Sequence, residues 1–110
     1  MITNRKIVKN VFECIDETDS GIISHRDLAK QLGIKPKKML STIDERIESL
    51  VEVGEVYSKE TMPGNTVKRE LFLDLHASSL LISEAKNNKK GVEMKVMLCK
   101  EMRRAGVKLF

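Results

Sequence analysis

Tryptophan is absent, and the aromatic side chains come to one tyrosine and three phenylalanines among 110 residues. A chain so poor in rings has little surface on which unpaired bases could stack, which argues against the recognition mode of single-strand and many RNA binders. Its core must rest instead on leucine, isoleucine, valine and six methionines. No apolar run approaches the roughly 20 residues of a membrane span, and the opening stretch MITNRKIVKN lacks the apolar centre of a secretion signal. We therefore expect a cytoplasmic protein with no membrane contact. Cys14 and Cys99 stand far apart and outside any Cys-x-x-Cys spacing. They read as two buried thiols in preference to a disulfide or redox pair.

Signals for catalysis are equally scarce. His25 and His76 are isolated, with no His-x-x-x-His or Cys/His cluster at metal-ligand spacing. His25 falls in a capping turn and is expected at the surface. Pro63-Gly64-Asn65 is a turn, and no glycine-rich phosphate loop is present. The carboxylates are scattered over faces that read as solvated. The expectation is no enzyme, no cofactor and no metal.

What is present suits one compact domain. Apolar residues make up 41% and charged residues 33%, a balance that favours a packed core over disorder. The net charge of +4 is unevenly spread. Residues 1–85 hold 12 basic against 14 acidic side chains, whereas residues 86–110 hold 8 against 2. If the chain meets a polyanion, this last segment is its most basic part; the bland alternative is a solvated, lysine-rich helix.

Periodicity places the elements. Ile7, Val8, Val11, Phe12 and Ile15 fit a helical stripe over Thr3 to Glu17. Ile22-Ile23 fits a very short strand. Ser24-His25-Arg26-Asp27 is a capping pattern for a second helix through Leu32, which Gly33 ends. Pro36 opens a third helix, with Met39, Leu40, Ile43, Ile47, Leu50 and Val51 on one face as far as Gly54. Val56-Tyr57, the Pro63-Gly64-Asn65 turn and Leu71 to Leu73 read as a hairpin. Helices near 78–86 and 92–104 follow. The expected fold class is mainly α with a small β-hairpin. It is a winged helix-turn-helix over residues 1–75, followed by two C-terminal helices over residues 76–110 that pack on it within a single domain.

The helix-turn-helix reading rests on spacing. Ala29 is small where the two helices cross, Gly33 turns the corner four residues later, Ile34 plugs it, and Met39 and Ile43 face back. An ordinary pair of packed helices is the alternative. In the third helix the N-terminal half is basic and the C-terminal half carries Asp44, Glu45, Glu48 and Glu52. Insertion by its N-terminus would use Lys35, Lys37, Lys38, Ser41 and Thr42, with Lys38 and Ser41 reading base edges. Asn65, Lys68 and Arg69 of the hairpin offer phosphate or minor-groove contacts, or else form a solvated turn. In the last helix, apolar residues spread around most of the wheel. Met94, Met97, Leu98 and Met102 read as a dimer seam, or as the core of a single chain. A dimer would present two such helices about one DNA turn (~34 Å) apart.

Gly33-Ile34-Lys35-Pro36-Lys37-Lys38-Met39-Leu40-Ser41-Thr42-Ile43-Asp44 resembles the helix-turn-helix of the phage regulatory protein Rha family. Gly33, Leu40 and Ile43 match, and Met39 is a conservative exchange. The likeness continues through Tyr57, through Glu70 to Asp74 and Ser79 to Ile82, and through Gly91 to Met97, covering about residues 24–103. The family's histidine is Pro36 here, its arginine is Ser41, and aromatic positions of its last helix are methionine. What the resemblance implies is a phage- or prophage-encoded regulator of transcription or lysogeny; the helix-turn-helix spacing and the apolar last helix add the expectation of sequence-specific binding to double-stranded DNA as a homodimer. Some related phage proteins act instead as antirepressors, binding a repressor or other regulatory protein without DNA contact. The acidic half of the third helix favours that second reading, and the lysines beside the glycine corner favour the first.

Overall fold

A computed structural model describes residues 7–14, 21–61, 64, 66 and 68–106. Among them are five α-helices and a small four-stranded sheet, so the chain is mainly helical. In chain order these are β1 (Ile7–Val8), a 3₁₀ turn (Val11–Cys14), β2 (Ile22–Ser24), α1 (His25–Leu32), α2 (Pro36–Glu45), α3 (Ile47–Val53), β3 (Val56–Thr61), β4 (Lys68–Asp74), α4 (Leu75–Glu84) and α5 (Lys89–Ala105).

The local chemistry accounts for the ends of α1. Ser24 has extended backbone, and its hydroxyl accepts the Asp27 N–H at 3.2 Å. At the other end Gly33 takes φ 72°, a left-handed conformation suited to glycine. Its N–H donates to the Lys30 carbonyl and that of Ile34 to the Ala29 carbonyl, which closes the helix. Pro36 then starts α2 where no N–H is needed. Ala29, Met39 and Ile43 are buried where α1 and α2 cross.

Two expectations need correction. The helix over Thr3 to Glu17 is absent from its described portion, residues 7–14, which hold a strand and a 3₁₀ turn. Ile7 and Val8 are β-branched and pair in parallel with Ile22 and Ile23. The Asn10 side chain then accepts the Phe12 N–H at 3.0 Å and turns the chain. The third helix is likewise not continuous to Gly54. It breaks at Arg46 (φ −109°, ψ 11°), whose N–H is shared between the Thr42 and Ile43 carbonyls. The Arg46 side chain is held 2.7 Å from Glu84 of α4. Past the break Leu50 is buried, while Ile47 and Val51, expected on the same inner face, are exposed.

The sheet is larger than the expected hairpin, with strand order β1-β2-β4-β3. β2 runs antiparallel to β4 (Ser24 opposite Phe72) and β4 antiparallel to β3 (Tyr57 opposite Phe72). Gly54 sits where α3 meets the start of α4. A Cβ there would fall 2.2 Å from Asp74 Oδ1, the atom that caps α4 by accepting the Ala77 N–H. One core joins all layers: Val8, Ile23, Leu28, Ile43, Leu50, Leu73, Ile82 and Leu98 belong to the same buried cluster.

Candidate nucleic-acid interface

Three elements meet at one corner. Pairing of β2 with β4 lays the start of α1 against Lys68 to Leu71, and the glycine turn brings the start of α2 to the same place. A shallow groove results, lined by His25 and Arg26 from α1, Pro36, Lys37 and Leu40 from α2, and Lys68 and Arg69 from β4. Arg26, Lys37 and Lys68 are exposed. The N-terminal end of α2 adds the partial positive charge of its unpaired N–H groups.

Arg69 is not a free cation. It forms a two-bonded pair with Asp44 of α2, Nη2 to Oδ1 at 2.8 Å and Nη1 to Oδ2 at 3.1 Å. The guanidinium holds the Asp44 carboxyl below its ordinary range, and the carboxylate in turn raises Arg69 above its own. The pair ties the hairpin to α2 and neutralises one of the carboxylates that would repel phosphate.

Of the residues singled out from the sequence, Lys37, Lys68 and Arg69 converge on the groove. Lys35 is the exposed residue before α2. Lys38 and Thr42 instead border a second cleft, floored by Leu32, Ile34, Met39 and Leu81, between α2 and α4. Ser41 is exposed, and its hydroxyl donates to the Lys37 carbonyl at 3.3 Å; that of Thr42 donates to the Lys38 carbonyl at 3.0 Å. Both oxygens keep acceptor capacity. Asn65 lies outside the described residues. Arg26 was not legible as a groove residue, because its place depends on the register of β4 against β2.

Three further expectations change. His25 is buried, at 1% exposure, and is not a surface residue. Its Nδ1 accepts the Leu71 N–H at 3.1 Å, so Nδ1 is unprotonated in this geometry. Burial is the main reason its pKa falls below the ordinary histidine value. Met94, Leu98 and Met102 belong to the chain's own core, at 7%, 3% and 4% exposure, so they cannot form a seam with a second subunit; Met97 alone of that set is exposed. The reason is that α1 and α4 already cover this face of α5. Cys99 is a free thiol on the exposed side of α5, where a buried one was expected, and the Cys14 side chain lies outside the described residues.

Among the described residues no group of three His, Cys, Asp or Glu side chains could hold a metal, and no helix is long and apolar enough to cross a membrane. Compared with known proteins, the chain matches no family model, no curated protein and no solved structure.

Proposed function

We propose that the chain is a winged helix-turn-helix protein that binds double-stranded DNA and regulates transcription. The element order β2, α1, α2, α3, β3, β4 supports that reading, with α3 following α2 directly after the break at Arg46, as does a sheet in which β4 lies between β2 and β3. In it α2 enters the major groove by its N-terminus and the β3–β4 hairpin is the wing. The observation that carries it is the convergence of Arg26, Lys37 and Lys68, from three elements, on one groove at the start of α2. Those side chains and Lys35 contact phosphates. Ser41, one turn beyond Lys37, reaches base edges, and the Asp44–Arg69 pair fixes the wing against α2. The resemblance over about residues 24–103 is what supports a phage or prophage origin.

The test is a mobility-shift titration on random-sequence duplex at low and moderate salt, with the wild type and a Lys37→Glu, Lys68→Glu variant. Binding by the wild type and its loss in the variant are expected. Replacing both lysines by alanine instead should flatten the log–log salt dependence by roughly 2, at about 0.9 per phosphate contact. Equal affinity of wild type and charge-reversed variant would sink the groove reading.

A second reading, a protein-binding adaptor or antirepressor in the same fold, is favoured by the row Glu45, Glu48 and Glu52, all exposed. A wild type that fails to shift any duplex at low salt would turn the assignment that way.

A further inference from the structure

Two other faces of the molecule hold apolar side chains in water. On α5, Val92 and Val96 are 42% and 46% exposed. They share a stripe with Cys99 and Arg103 at steps of four, three and four residues, which keeps side chains on one side of a helix. Cations border the stripe: Lys95, Lys100 and Arg103 line a shallow depression with Val96 and Cys99. The whole helix has six basic against two acidic residues. On α3, Ile47 and Val51 stand one turn apart, 38% and 56% exposed, with Glu48 and Glu52 beside them. Residues 44–55 hold five carboxylates against one arginine. Among the described residues, Glu48, Glu52, Lys100 and Arg103 form no ion pairs.

We propose that these patches are the two halves of one contact between copies of this chain: α3 of one copy seats Ile47 and Val51 against Val92 and Val96 on α5 of the other. Charge selects the pairing. Two α5 helices face to face would oppose six cations to six, and two α3 helices would oppose carboxylates to carboxylates. By contrast, α3 against α5 sets the carboxylates of Glu48 and Glu52 beside a helix of net charge +4. Each apolar pair is one helical turn long, so the two pairs can interdigitate. Where a two-fold axis relates the copies, the contact forms twice. Neither patch includes Arg26, Lys37 or Lys68, so the inference stands apart from DNA binding.

Sedimentation velocity of the full chain from low to high micromolar concentration at low salt is the test. The mass should climb above that of the single 12.5 kDa chain and drop back at high salt. A Glu48→Lys, Glu52→Lys variant and a Lys100→Glu, Arg103→Glu variant should each self-associate about tenfold more weakly. An equal mixture of the two should recover, because the lysines on one α3 meet the new carboxylates on the other copy's α5. All four positions are exposed, and circular dichroism checks that the variants stay folded. A monomer mass throughout, association indifferent to either reversal, or a mixture as weak as its components would each overturn the proposal.

Discussion

Asp44 and Arg69 are 25 positions apart in sequence and hold each other by two parallel hydrogen bonds across the gap between α2 and the hairpin. Both side chains remain about half exposed, so water screens the pair and its contribution to stability is small, about 0.2–1 kcal/mol. Its larger effect is on charge, since it removes one cation and one anion from the edge of the groove.

On the proposed DNA-binding reading, Asp44→Asn should therefore raise duplex affinity, by releasing Arg69 and deleting a negative charge from the edge of the groove. The melting temperature should shift by no more than a few degrees. Parallel mobility-shift and thermal titrations check it, and an affinity that falls would show that the pair's role in fixing the hairpin outweighs its charge.

Acid should weaken the fold through His25. Burial depresses its pKa, Arg26 and Arg69 add to the effect, and Glu70 opposes it. The unfolded chain protonates near the ordinary value of about 6.5, whereas the folded chain resists. Stability is thus complete above that pH and declines as pH falls through 6.5 toward the lower folded value. Urea unfolding at pH 7.5 and 5.5 should give a larger difference for wild type than for His25→Asn, whose amide oxygen can still accept the Leu71 N–H.

The two sides of α5 should respond differently to truncation. Leu98 is 3% exposed, and Leu98→Ala should remove about 2–4 kcal/mol of unfolding free energy. Val96 is 46% exposed, and Val96→Ala should stay within about 0.5 kcal/mol for the isolated chain. Denaturation of dilute protein makes the comparison.

The parts of this fold that local chemistry dictates were readable in advance. Ser24 to Asp27 announces the cap of α1, Gly33 its end and Pro36 the start of α2, and β3 and β4 pair as the expected hairpin on either side of residues 62–67. What escaped depends on distant partners. Ile7 and Val8 suit a helix stripe or a strand, and only Ile22 and Ile23 decide between them. The break at Arg46 is held by Glu84, 38 positions on. His25 is buried because β4 passes beside it. In α5, apolar residues on every side left open which face points inward, until the packing of α1 and α4 selected Met94, Leu98 and Met102. The groove was half visible: its lysines could be named, whereas Arg26 and the Asp44 clamp required the register of the sheet.

The sheet ends on one side in the two-residue β1 and on the other in β3, where Lys59 and Glu60 stand exposed. The short β1 border presents few open backbone groups to template a further strand, and on the longer β3 border the exposed charged side chains resist stacking on copies of themselves. Fibrous aggregation along the sheet is thereby discouraged, which leaves the helical surfaces to mediate recognition and should keep concentrated samples clear.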